Sequence, residues 1–367
     1  MNTLIPIEYY ELVYYNFLLL IVILVLVQST SVSIFDKDNL ASKKNLGIFF
    51  LCFVLLYMGT RPISFEFADM AVYALEFEDY ANGVPLNTSK ELIFGIFMKA
   101  ASSIMSAEMF FLVCAFIYVF PLYLASKKIF KEYWFYSLFI LIISFSFWAY
   151  GTNGIRNGIG TSLFIYGLSK NKNVVKFAIF LLAISIHTSL ILPTVAFVIS
   201  LFYKNIKFYL FAWIIAIPLS LALAGFWENF FLNLGLVEES RIAGYFADDQ
   251  SALDNIIELK VGFRWDFLIY SATGVVSGYY YIFKKKYDDA FYNRLFAIYL
   301  MCNALWILVI RANFSNRFAY LSWFLLGLII IYPLLKVVLF KKQHLVVGII
   351  MFLYFLFTYV VNFIFAK

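Results

Sequence analysis

Residues 317–336 read RFAYLSWFLLGLIIIYPLLK. Between the arginine and the lysine lie 18 uncharged residues, Phe318 to Leu335. At a helical rise of about 1.5 Å per residue such a run reaches roughly 27 Å, near the ~30 Å depth of bilayer hydrocarbon. Lipid offers no water to unpaired N–H and C=O groups, so a chain that enters it must be helical or form a closed barrel. A barrel needs strands of alternating polarity, and no such pattern occurs in this sequence.

Working outward from this run, the same reading repeats. The sequence is 64% hydrophobic and only 14% charged, against roughly a quarter charged for a soluble domain. Twelve runs read as spans: 9–27, 46–59, 109–126, 133–150, 155–169, 174–187, 188–203, 208–225, 267–283, 291–310, 318–335 and 345–363. The expectation is an all-α polytopic membrane protein, one transmembrane domain over 1–367, with about 12 transmembrane helices. Run 9–27 has no lysine or arginine before it, the first being Lys37, so it reads as a retained span and not a signal peptide. Cys52, Cys114 and Cys302 all lie in apolar runs, which gives neither a disulfide framework nor a zinc spacing. The net charge of +6 comes from lysines gathered on one side of the membrane and implies no nucleic acid.

Orientation follows from those lysines, because cytoplasmic loops retain positive charge. Loops carrying Lys37, Lys43 and Lys44, then Lys127, Lys128 and Lys131, and so on to Lys341 and Lys342, fall on one side, expected to be the inner. Segments 60–108, 151–154, the turn at His187, 226–266 and 311–317 fall on the other. Segment 92–106 (LIFGIFMKAASSIMS) would invert every later loop if it crossed, so it reads as a re-entrant or interfacial helix. Seventeen of the 21 lysines lie on the expected inner side, whereas Arg61, Arg156, Arg241, Arg264, Arg311 and Arg317, six of the seven arginines, lie on the outer. Lysine obeys the insertion rule and arginine departs from it. Guanidinium is a rigid, permanently charged fork that matches phosphate oxygens, so the arginines point to a phosphate-bearing ligand. The ordinary alternative is pairing with acidic residues on the same side.

Three outer segments carry the chemistry. In GTRPISFEFADMAVY (59–73), Asp69 and Tyr73 stand four residues apart and share a face if helical, as a sugar-binding pair would. In FWAYGTNGIRNGIGTS (147–162), glycines allow a tight turn and Arg156 and Asn157 open the next helix, where free N–H groups attract an anion. His187 joins two apolar runs and is one of two histidines; it suits a base near neutral pH or a hydrogen-bonded helix end with Thr188 and Ser189. In 226–266, Arg241 and Tyr245 share an i, i+4 spacing, and that segment reads as short amphipathic helices. Asp248–Asp249 lacks the further ligands of a metal site, and no P-loop, GxSxG or HExxH appears.

The ordered set Arg61…Asp69…Tyr73, Glu91-x-x-Phe94, Arg156, His187-x-Ser189, Ser240-Arg241 with Tyr245, and Arg317-Phe318 resembles the EpsG/Wzy group of polysaccharide polymerases. The resemblance implies a metal-independent glycosyltransferase with a multi-span, GT-C-like architecture and no cofactor. Its substrates would be undecaprenyl-diphosphate-linked oligosaccharides, donor and acceptor, at the periplasmic face of the bacterial inner membrane. The product would be O-antigen or a similar polysaccharide, with a chain-length regulator protein as a partner. On this reading Arg156, Arg241, Arg317 and Arg311 bind the diphosphate. His187, Arg156 and Asp69 are catalytic, and Arg61, Asp69, Tyr73 and Tyr245 hold sugar. Two rivals are a flippase, which needs charges along span middles that are absent here, and a membrane O-acyltransferase, which needs no arginine cluster.

Overall fold

The computed structural model describes residues 5–86, 92–233, 262–311 and 315–365, and every regular element among them is helical. Seven helical stretches are long and apolar enough to cross a membrane: Ile7–Ser31, Lys37–Gly59, Ala107–Ile142, Ile206–Leu223, Ala290–Leu308, Arg317–Lys336 and Gln343–Phe363. They cover seven of the twelve expected spans, Ala107–Ile142 also taking in the start of run 133–150, and fit a multi-pass membrane protein. The other five runs form shorter helices. Runs 133–150 and 155–169 are largely buried inside the protein, whereas the helices in 174–187, 188–203 and 267–283 leave large apolar side chains exposed.

The chain divides into two compact units, 1–190 with 331–367, and 191–330. The first contains α1 (Ile7–Ser31), α2 (Lys37–Gly59), α3 (Asp69–Ala81), α4 (Leu92–Ser102), α5 (Ala107–Phe130), α6 (Trp134–Ile142), α7 (Phe145–Thr152), α8 (Ile155–Leu168) and α9 (Asn173–Ile186). Run 133–150 is thus two helices, broken at Ile143–Ser144. The Ser144 hydroxyl turns back to the Leu141 carbonyl at 2.7 Å, and all nine residues of α6 are buried. Helix α8 buries twelve of its 14 residues; at about 1.5 Å per residue it is ~21 Å long. Helix α4, with 11 residues, is shorter still.

The second unit contains α10 (Ile191–Phe202), α11 (Ile206–Asn233), α12 (Trp265–Tyr279), α13 (Ala290–Leu308) and most of α14 (Asn316–Lys336). α11 departs from helical geometry at Leu223. A buried polar chain ties this unit together. Trp213 donates to Asn303 at 2.7 Å, and Asn303 donates to Ser322 at 2.9 Å. Trp323 donates to Ser271 at 2.6 Å. In lipid, where hydrophobic attraction between helices is weak, such bonds give the packing its register. The last helix, α15 (Gln343–Val360), returns to the first unit and lies along α1, with Gly348 against Ser29.

Within the first unit the connections gather in two groups. Phe35 meets Tyr133 edge-on at 5.5 Å, Asn39 donates to Tyr136 at 3.3 Å, and Lys336 reaches the Ile129 carbonyl. These are connections that the lysine rule places on one side. The other group carries Arg61, Asp69, Tyr73 and Arg156, and forms the site described next.

Candidate functional site

Helix α2 ends at Gly59, and Pro62 lies just beyond. Arg61 turns inward, donating to the carbonyls of Met58 and, at 3.3 Å, Thr152. Its guanidinium also lies over Phe67 and Phe111 at 5.7 and 5.6 Å. Only 3% of the residue is exposed, and burial draws its pKa down to about 10, which keeps it charged near neutrality. Its Nε is buried with no hydrogen-bond partner among the described residues.

A short 3-10 turn, Phe65–Phe67, leads to Ala68, whose φ of 41° lies in the left-handed region disfavoured for residues with a Cβ. That reversal aims the start of α3 at the 152–154 turn: the Asp69 N–H donates to the Asn153 side chain at 3.2 Å. Asp69 and Tyr73 share one helix, as their spacing predicts. Asp69 is half-buried and Tyr73 buried.

Arg156 stands in the first turn of α8, behind an N-cap at Gly154. Its Nε donates to the Tyr73 hydroxyl at 2.8 Å. Its guanidinium lies 5.3 Å from the Tyr73 ring and 5.9 Å from the Phe94 ring, so α3 and α4 flank it with aromatic groups. Arg156 and its neighbour Asn157 are each 7% exposed, and the Asn157 Oδ1 is buried with no hydrogen-bond partner among the described residues. The close approach that sets α8 here needs a glycine. A Cβ on Gly158 would lie 2.5 Å from the Tyr150 carbonyl oxygen.

His187 ends α9 in extended conformation, with Nδ1 and the Ser189 hydroxyl 2.6 Å apart. The turn Thr188–Leu190 packs on α8, where Leu190 lies against Gly160, one turn beyond Arg156. The hydrogen-bonded helix end expected for His187 is present. The same bond fixes the ring and leaves the tautomer to be set by Ser189.

Arg61, Asp69, Tyr73 and Arg156 therefore converge through direct contacts with the 151–156 turn. Asn153 and Phe94 complete the corner. Asn153 was not singled out by its type or spacing; its position in a glycine-rich turn just before an arginine was the available signal. In the second unit, Arg311 is half-buried beside Phe263, and its Nε has no hydrogen-bond partner among the described residues. Arg317 is exposed near the start of α14. Arg264 bonds Asp266 at 3.0 and 2.7 Å, so the ordinary acid-pairing reading holds for that arginine. Arg241, Tyr245, Asp248, Asp249 and Glu91 lie outside the described residues, as does most of segment 226–266.

Apolar helices long enough to cross a bilayer, with a buried arginine at the start of an inner helix, define a multi-pass membrane protein built around an internal cationic corner. The family model for the EpsG family matches residues 47–367, and the chain belongs to that family. Searches of curated proteins and of solved structures return no match. EpsG is a Wzy-type polymerase-like family, which is the resemblance the ordered motifs carried.

Proposed function

We propose that this protein is a polysaccharide polymerase that transfers a growing glycan from undecaprenyl diphosphate to a new lipid-linked repeat unit. It would act at the periplasmic face of the inner membrane, with about twelve crossings in a GT-C-like arrangement. Family membership supports a polymerase in general. The observation that carries the mechanism is Arg156, buried at a helix start and held by the Tyr73 hydroxyl.

In the proposed step an acceptor sugar hydroxyl attacks the anomeric carbon of the donor. The new C–O bond forms as the bond from that carbon to the diphosphate oxygen breaks. The electron pair leaves with the undecaprenyl diphosphate, and the hydroxyl proton passes to a base. Charge developing on the leaving group requires cations fixed in advance in a poorly solvated site. Arg156 takes that role, with Arg241, Arg311 and Arg317 as further diphosphate ligands. No metal or cofactor is assigned. His187 is the proposed base, with Asp69 second. Arg61, Asp69, Tyr73 and Tyr245 are the proposed sugar contacts. A chain-length regulator is the proposed protein partner.

The test is the glycan of a strain lacking the gene. A polymerase mutant yields lipid anchors capped with one repeat unit, and complementation restores the ladder. Loss of all capped anchors would indicate a flippase, and full-length chains lacking acyl groups an acyltransferase; either result overturns the proposal. In the complemented strain, His187→Ala is expected to reduce extension by about 10²-fold, the usual contribution of a general base. Ser189→Ala, which removes the hydroxyl contact and keeps the Ser189 N–H bond to Nδ1 at 3.3 Å, is expected to cost less. Equal losses in both variants, with normal protein levels, would make His187 a helix-end residue and remove it as the base.

A further inference from the structure

We propose that Lys43 and Tyr136 form a site for one small monovalent anion, of halide size, at the end of the first unit that carries the α1–α2 connection. The site shares no residue with the arginine corner, so it stands apart from the transferase reading. Lys43 lies in α2 and is only 4% exposed, whereas Lys37 and Lys44 on the same helix are exposed. An ionisable group buried in a span helix is a functional candidate by default. Lys43 borders a cavity of about 10 Å³ bounded by α1, α2, α6 and α15. The polar groups around it come from Gln28, Ser29, Asn39, Lys43, Tyr136 and His344, and no carboxylate is among them.

The balance of donors and acceptors decides the ligand. The Lys43 ammonium donates to the Gln28 Oε1, and the Gln28 Nε2 donates to the Asn39 Oδ1 at 3.0 Å. The Asn39 Nδ2 donates to the Ser33 carbonyl at 2.8 Å and to the Tyr136 hydroxyl oxygen at 3.3 Å. The Ser29 hydroxyl donates to the Leu26 carbonyl at 2.6 Å. Both carboxamides are thus satisfied inside the protein. Two groups keep donors in hand. An ammonium has three N–H groups, and among the described residues Lys43 has one acceptor and no ion pair. Tyr136 accepts from Asn39, and among the described residues its own O–H has no acceptor.

The surplus is therefore donors together with one positive charge. The Phe135 ring, 5.5 Å from the ammonium, favours the charged form but does not neutralise it. Water can accept from these donors, yet it leaves the charge uncompensated, and an unpaired buried charge is costly. An anion meets both needs. The volume then sets its size. About 10 Å³ is near the room that one water-sized particle requires, which suits a small halide and excludes phosphate, sulfate and lipid head groups. Held by Lys43 of α2 and Tyr136 of α6, with Gln28 of α1 on the ammonium and His344 of α15 at the cavity wall, the ion fastens four helices. The stability of the fold is then linked to its concentration.

The test is thermal unfolding of the full chain in detergent, with potassium gluconate exchanged for potassium chloride at equal ionic strength so that screening is unchanged. Chloride is expected to raise the melting temperature by about 2–4 °C. Bromide should act as chloride does, iodide less, and sulfate not at all. Lys43→Met keeps the length of the side chain and removes its charge, and it should abolish the chloride response. Tyr136→Phe removes one donor to the ion and should raise the chloride concentration needed by about tenfold. Anomalous scattering from bromide in crystals of the full chain should place the ion beside Lys43. If Lys43→Met does not fold, Tyr136→Phe and the bromide position decide. Equal melting in chloride and gluconate would mean that water fills the site and would overturn the proposal. So would an undiminished response in either folded variant, or bromide found only elsewhere.

Discussion

Replacing Arg156 with lysine is expected to abolish chain extension nearly as completely as replacing it with alanine, with a loss of about 10²–10³ in rate, or ~3–4 kcal/mol of transition-state stabilisation. Charge alone does not explain the site. Arg156 uses Nε to bind the Tyr73 hydroxyl while its plane lies by the rings of Tyr73 and Phe94. Lysine has one ammonium and no plane, so it cannot hold Tyr73 through a directed Nε–H and keep a planar fork beside the two rings at once. Tyr73→Phe keeps the ring and removes the hydroxyl. It should cost less than the arginine changes, because the guanidinium loses a tether and keeps its charge. The measurement is polymerisation of lipid-linked repeat units by purified protein, with melting temperature as the control for folding. Extension by Arg156→Lys at more than about a tenth of the wild-type rate would show that any cation suffices there.

The second large effect is expected at Gly158. Alanine there should lower the melting temperature even though alanine is the better helix former. Propensity favours the change by about 1 kcal/mol. Against it, the new Cβ would sit 2.5 Å from the Tyr150 carbonyl oxygen and 3.0 Å from its carbonyl carbon. Those are backbone atoms at the end of α7 and cannot rotate aside. Overpacking of this kind costs about 1–3 kcal/mol and sometimes more, so the clash outweighs propensity. Valine should be worse. Because Arg156 is two residues earlier, the shift that relieves the clash also moves the guanidinium, and extension should fall with stability. Thermal unfolding in detergent decides the matter. A Gly158→Ala protein that melts at or above the wild type would mean that α8 has slack against α7. By contrast, Gly151 faces the flexible end of Met58, and alanine there should be far better tolerated.

Much of the site was legible because local spacing carried it. Asp69 and Tyr73 fall four apart, and the structure puts both on one helix. Arg156 follows a glycine-rich turn, and it does open a helix. Segment 92–106 reads as a re-entrant or interfacial helix from the charge of the later loops, and α4 within it has 11 residues. The number of crossings was less legible. Runs 133–150 and 155–169 are apolar because they are interior to the first unit, and α6 is wholly buried. Hydropathy reports only that a residue avoids water. It does not say whether lipid or protein replaces the water, so the buried runs 133–150 and 155–169 read like the longer helices.

The sequence by itself determined the helical class, the division of lysine from arginine, and the family. These follow from composition, period and ordered motifs, which are properties of the chain read locally. Only the tertiary structure decided which partner each arginine takes: Arg264 an adjacent carboxylate, Arg61 two backbone carbonyls, Arg156 a phenol 83 residues away. It also decided that Asn153, unremarkable in the sequence, binds the start of α3. The physical reason is range. Helix formation and membrane insertion are fixed by neighbours within a few turns, whereas a guanidinium's hydrogen bonds depend on which distant helices approach it, and close contacts such as Gly158 against Tyr150 set that approach.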